Sequence, residues 1–276
     1  MVSSSFENVS RCGGEEMAVI SGLLSKKERL EIKDLADETR SKWSRKGYLD
    51  IFTILDQCSI LIRKPLESQF SGFSTFLEGE FIVVLNTNYT LGHERFTGAH
   101  ELYHLTYNQD ILRREHLMLS GNHEEENKAQ GFAAEFLMPE DGVKDSFFKV
   151  VGEEISADKV EARHIIRLQH IFQVSYAAML KRLIQLNLCA VKRYDFLREY
   201  STLERTDELQ QITLREGYDI HLIQPAKITS ISDEYIQATR SNFEKKNISY
   251  GKLLEVLAYV GKTPLGYGHE PYGEEE

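Results

Sequence analysis

Gly98-Ala-His-Glu-Leu-Tyr-His-Leu105 decides the reading of this chain. His100 and His104 stand four apart, and in an α-helix positions i and i+4 lie one turn apart on the same face. Two imidazoles so placed can converge on one metal ion. Glu101 follows the first histidine and lies on a neighbouring part of that face, within reach of a water bound to such an ion. This is the H-E-x-x-H arrangement of zinc-dependent peptidases. Ala99, Leu102, Tyr103 and Leu105 make the rest of the segment apolar. A polar trio inside a largely apolar helix is costly unless its groups are paired or coordinated. That argues against two exposed histidines on an ordinary helix.

Glu124-Glu-Glu-Asn-Lys-Ala-Gln-Gly-Phe-Ala-Ala-Glu-Phe-Leu-Met-Pro139 reads as a second helix. Ala129, Phe132, Ala133, Phe136 and Leu137 recur at helical spacing, and Pro139 marks the end. The three opening acids suit the positive end of the helix dipole. A catalytic zinc also takes three protein ligands and leaves a fourth position for water. Glu126 has the right phase to be the third. It lies about one turn before Ala129, whose small side chain lets two helices approach, so it can face the first helix. Glu124 and Glu125 point elsewhere on the wheel, towards solvent. His116 and His123 are rival ligands, although a lone loop histidine more often faces water.

Together these patches resemble the ImmA/IrrE family of zinc metallopeptidases. Glu94-Arg-Phe-Thr-Gly-Ala-His-Glu-Leu-Tyr-His-Leu105 is similar to the family's R-F-T-x-A-H-E-x-G-H. Glu126-x-x-Ala129 running into Phe132-Ala-Ala-Glu-Phe-Leu-Met-Pro139 resembles its E-x-x-A-[ND] and F-A-A-E-L-L-M-P. Phe81-Ile-Val-Val-Leu-Asn86 resembles the strand ending in Asn before the motif helix, and Phe172-Gln-Val-Ser-Tyr-Ala-Ala-Met-Leu-Lys-Arg-Leu183 resembles a downstream V-S-x-x-A-M-x-x-R-L helix. The likeness spans roughly residues 25–190. It implies an α+β fold: a predominantly helical, zincin-like core with a small sheet, here followed by an α/β C-terminal extension. It also implies one Zn2+ per chain and, as substrate, a helix-turn-helix transcriptional repressor, often co-encoded. Tyr103 stands where the family has glycine, and Gln130 where it has Asn or Asp. A bulky Tyr103 narrows the floor beneath the metal, and Gln130 is a poorer orienting group for a ligand.

The chain has 276 residues and a formal net charge of −10. That length can bury a real core. The charge speaks against non-specific nucleic-acid binding, which rests on basic patches. Cys12, Cys58 and Cys189 are scattered, with no C-x-x-C pair, and read as reduced thiols of a cytoplasmic protein. No apolar run approaches the ~18–20 residues that span a bilayer, and the N-terminus lacks the regions of a signal peptide.

Residues 1–20 read as a mobile leader, within which Met17 is a possible start. The peptidase domain covers 21–190, a C-terminal extension or partner-recognition module 191–262, and an acidic, Gly-rich tail 263–276. Ser25 caps a helix to about Trp43, and Tyr48–Leu55 is another. Ser59–Arg63, Gly72–Leu77 and Phe81–Leu85 form a three-stranded sheet. Such a sheet either offers its edge to an extended substrate or only backs the helices. The motif helix spans His93 to about Tyr107, and a polar loop runs from Asn108 to His123, where Leu117-Met-Leu119 can fold back over the site. Helices follow at 124–137 and within 140–155. Ser175–Leu186 is amphipathic and better suited to packing than to reading DNA. Tyr218–Ile223 reads as a strand, and 232–241 and 249–260 as helices.

The catalytic reading places a metal on His100, His104 and Glu126 with Glu101 as general base. Tyr107 and His93 are in principle within reach of an oxyanion. The competing reading is a non-catalytic zinc-containing module that sequesters a transcriptional regulator. A purely structural site has no need of Glu101.

Overall fold

A computed structural model describes residues 24–45, 50–115, 123–152 and 155–269. The expected leader, Leu117-Met-Leu119 and the last seven residues of the tail lie outside the described residues. In chain order the elements are α1 (Lys26–Arg45), α2 (Ile51–Asp56), β1 (Ile60–Lys64), β2 (Gly72–Leu77), β3 (Glu80–Asn86), α3 (Leu91–Tyr107), α4 (Gln109–Glu115), α5 (His123–Leu137), α6 (Glu140–Val151), α7 (Ala162–Phe172), α8 (Tyr176–Gln185), α9 (Tyr194–Arg198), α10 (Thr206–Arg215), β4 (Ser230–Ile231), α11 (Asp233–Glu244) and α12 (Tyr250–Tyr259). The fold is α+β and mostly helical. The chain divides into two compact units, Trp43–Gly121 with Gln224–Glu276, and Met1–Lys42 with Asn122–Ile223.

The first unit is built on a mixed sheet of order β2-β3-β1-β4. β2 and β3 form an antiparallel hairpin, and β1 runs parallel to β3. The hairpin turns at Glu78 and Gly79, whose φ angles of 52° and 95° suit the glycine. Three strands lie where the sequence suggests them. The fourth, β4, is an addition that the sequence pattern does not announce. It pairs antiparallel to β1 through Ile62↔Ile231 and Arg63↔Ser230. Ser232 extends the join: its Oγ accepts from Leu61 N (2.7 Å), and its N donates to Leu61 O (2.9 Å). Two residues are too few for any period to register. Behind β4, α11 and α12 share a core of Ile236, Phe243, Leu253 and Leu257.

Helix α3 is the centre of this unit. Thr90 caps it by accepting from His93 N (3.3 Å). The helix packs against β2, β3 and α2 and is buried from Thr97 through His104 to Leu105. At Gly98 an added Cβ would stand 3.2 Å from Leu55 and 3.3 Å from Ile51, so α2 lies close against it. Where the sequence suggested a polar loop after Asn108, the chain turns at once into α4, whose Leu112 is fully buried. One buried leucine in seven residues gives too little period to read.

Two polar devices fix α3 to the sheet. Glu94, in the first turn, is fully buried and accepts two hydrogen bonds from the Arg63 guanidinium of β1, Nε to Oε1 at 2.5 Å and Nη2 to Oε2 at 3.1 Å. The guanidinium also lies over the Phe52 ring at 3.9 Å. Asn86, buried at the end of β3, accepts from Leu66 N (3.0 Å) and Asn88 N (3.1 Å). Its amide donates to the Leu66, Ser68 and Phe70 carbonyls. One side chain thus replaces the backbone partners that the loop before β2 lacks.

In the second unit, Ser25 and Glu28 close a capping box on α1. Helix α5 buries Ala129, Phe132, Ala133 and Phe136, and Arg40 donates to the Glu135 and Phe136 carbonyls at its end. Buried Arg182 of α8 donates to Met138 O (3.0 Å) and pairs with Glu135 (2.6 Å). Helix α8 buries Met179, Leu180, Leu183 and Ile184. Residues 218–223 are not the strand their alternation suggests. His221–Ile223 is a 3-10 turn, opened by His221 N donating to the Asp219 side chain (2.9 Å). That local bond competes with an extended chain.

Arg63→Ala leaves the Glu94 carboxylate buried and unpaired, and is expected to lower unfolding free energy by about 3–5 kcal/mol in denaturant titrations. The added change Glu94→Leu should recover much of it. Asp50 gives a pH-dependent counterpart. It caps α2 by accepting from Phe52 N and Thr53 N, and it binds Arg95 at 2.5 Å. Burial pushes its carboxyl up, but Arg95 and the two amides outweigh burial and hold it below the usual range. Its contribution is therefore complete above the unfolded value of about 4 and is lost as pH falls through the lowered value. The stability gap between wild type and Asp50→Asn should close along that acid limb.

Candidate metal centre

His100, Glu101 and His104 project from the middle of α3 and are 8%, 5% and 1% exposed. The imidazole rings stand edge to face with centroids 5.0 Å apart. Their Nε2 atoms approach to 3.2 Å. Two nitrogens at Zn–N distances of about 2.0–2.1 Å and a tetrahedral angle would lie about 3.3–3.4 Å apart. The donor pair therefore fits one such ion. Glu126 stands in the first turn of α5, in the other compact unit. Two imidazoles and one carboxylate are the donor set of a catalytic rather than a closed structural zinc site.

The histidine tautomer is set from behind. His104 Nδ1 lies 3.0 Å from Asn108 Oδ1, at the C-terminal cap of α3. An amide oxygen only accepts, so Nδ1 carries the proton and Nε2 presents its lone pair. Tyr103, 4% exposed, lays its ring 5.6 Å from His104 and 5.4 Å from Tyr107. The residue that departs from the family pattern thus packs against the second histidine.

Glu101 is held from the sheet. Ser74 Oγ, on β2, donates to Glu101 Oε2 at 2.6 Å, with Ser74 only 1% exposed. That leaves Oε1 with its accepting capacity. Neither Ser74 nor Asn108 stands out in the sequence. Ser74 lies on the alternation of an ordinary strand, and Asn108 sits four residues after His104, a spacing that could have flagged it as a helix-borne partner.

The other sequence candidates fall elsewhere. Glu124 and Glu125 pair with Lys128 (2.7 and 2.9 Å). His123 is exposed at the start of α5, and His116 lies outside the described residues. His93 is two turns before His100, about 10 Å along the axis. Its Nε2 meets Ser71 Oγ at 2.8 Å, and its ring stacks on Tyr89. Gln130 is exposed.

Asn108→Ala should weaken metal binding by about 10- to 100-fold, measured by competition with a chromophoric chelator, with far-UV circular dichroism unchanged.

Residues 57–184 match the family model described as the IrrE N-terminal-like domain, Peptidase_M78. No curated protein matches the chain. The matched stretch carries the paired imidazoles, the buried glutamate between them and Glu126, and over these residues the chain is similar to the Peptidase_M78 metallopeptidases.

Proposed function

We propose that the protein is a zinc-dependent endopeptidase in which His100, His104 and Glu126 hold the metal and Glu101 is the general base. The observation that carries this reading is the 3.2 Å approach of the two Nε2 atoms beside a buried carboxylate held by Ser74. Zinc bound there supplies Lewis acidity and lowers the pKa of its water towards ~7. Glu101 accepts a proton from the attacking water and returns it to the leaving amine. The hydrogen bond from Ser74 engages Oε2, so Oε1 is the less engaged oxygen for the proton.

The substrate binds as an added strand. β4 covers the outer edge of β1, which leaves β2 as the other edge of the sheet. β2 is also the strand that touches Glu101. A peptide paired along β2 would run past the base, held by main-chain hydrogen bonds with little demand on sequence. Family resemblance favours a co-encoded helix-turn-helix repressor as the protein cleaved, and so a role in transcriptional control. The scattered cysteines, with no C-x-x-C pair, favour a cytoplasmic location.

Purified chain loaded with one equivalent of zinc, incubated with the helix-turn-helix regulator encoded next to it, should yield two fragments by mass spectrometry. Chelation should stop cleavage. Glu101→Gln should keep the metal and lose at least ~100-fold in rate. Capture of an intact regulator by the zinc-loaded chain would favour the sequestering module instead. Retained cleavage in Glu101→Gln would defeat the assignment of the base.

A further inference from the structure

Ser74 and Gly72 are consecutive inward-facing positions of β2, and Thr97 and Glu101 are consecutive turns of one face of α3. Strand residues two apart are about 6.6–6.8 Å apart and helix residues four apart about 6 Å, so the two pairs meet as two rungs. At the first rung Gly72 leaves no room. A Cβ added there would stand 2.7 Å from Thr97 Cγ2 and 2.8 Å from the Val84 carbonyl oxygen. At the second rung Ser74 Oγ reaches Glu101 Oε2 at 2.6 Å, with both residues buried. A serine side chain is short and makes that bond only if strand and helix are this close.

We infer that β2 is a ruler for the proposed base: Gly72 sets the strand-to-helix distance, and Ser74 is the positioning residue that fixes the rotamer of Glu101. This rests on the peptidase reading above and deepens it. The strand to which a peptide would add is the strand that holds the carboxylate, so base and substrate main chain share one reference frame. A glutamate has three rotatable bonds and loses much rotamer freedom when fixed. At this site the fixing comes from β2 rather than from α3.

The test begins with crystal structures of the full chain, wild type, Ser74→Ala and Ser74→Thr. In Ser74→Ala the Glu101 carboxylate should leave its wild-type position or split between rotamers, while His100 and His104 stay in place. Ser74→Thr, which keeps the hydroxyl, should restore it. A Glu101 in Ser74→Ala that superimposes on the wild type overturns the inference.

Kinetics on dye-quenched casein with zinc-loaded protein give the second readout. Misplacement of a catalytic group by an ångström costs on the order of 100-fold. Ser74→Ala should therefore lose about 10- to 100-fold in kcat, with KM and the zinc stoichiometry little changed. A merely structural role would lower melting temperature and zinc content together. Gly72→Ala, which pushes strand and helix apart, should reproduce the displacement of Glu101 with Ser74 intact. If the wild type binds no zinc and cuts nothing, while Glu101 still moves in Ser74→Ala, the peptidase reading fails and the positioning role stands. If the wild type cleaves and Ser74→Ala cleaves equally well, the positioning role fails alone.

Discussion

A helix enclosed on nearly every side must find partners for each polar group it carries, and α3 carries four ionisable side chains in its interior. Glu94, His100, Glu101 and His104 are all buried. Desolvating them without partners would cost several kcal/mol each. The fold answers them one at a time. Arg63 on β1 bridges Glu94, Ser74 on β2 binds Glu101, and Asn108 at the helix cap binds His104. The two imidazoles then turn their remaining nitrogens towards each other. The donor pair at that point suits a divalent cation.

Three of these partners come from neighbouring strands or the helix end, so the sheet is more than backing for the helix. β1 fixes the N-terminal turn of α3, and β2 fixes its middle. The C-terminal segment enters the same system through β4, which pairs with β1 at Arg63 itself. Ser230 stands opposite the residue whose side chain neutralises Glu94. A segment far along the chain thereby stiffens the strand that anchors the start of the motif helix.

What could be read in the sequence is what has a short period. The i, i+4 spacing of His100 and His104, the helical spacing of Ala129, Phe132, Ala133 and Phe136, and the short apolar runs of β1 and β3 all lie within a dozen residues. They place their elements to within a few positions. What could not be read is pairing between distant elements. Arg63 looks like any strand-end cation, Ser74 like any strand hydroxyl, and β4 is two residues long. Residues 218–223 alternate as a strand should, yet the Asp219 side chain takes the His221 amide and winds the segment up. There a single hydrogen bond outweighs a weak pattern.

Tyr103 acts on the same buried system. At the position before the second histidine, glycine would leave α3 with no side chain at that point of its surface. Tyrosine instead fills it with a ring that is almost wholly buried and touches both His104 and Tyr107. His104 is then held by Asn108 at Nδ1 and by an aromatic edge along its ring, which removes most of its rotational freedom before any ion arrives. Preorganisation of this kind reduces the entropy lost on binding. It also limits how far the ring can follow an ion of different preferred geometry. On this view the bulky residue does not obstruct the centre. It trades adaptability for a fixed nitrogen, as Ser74 and Arg63 do for the carboxylates of Glu101 and Glu94.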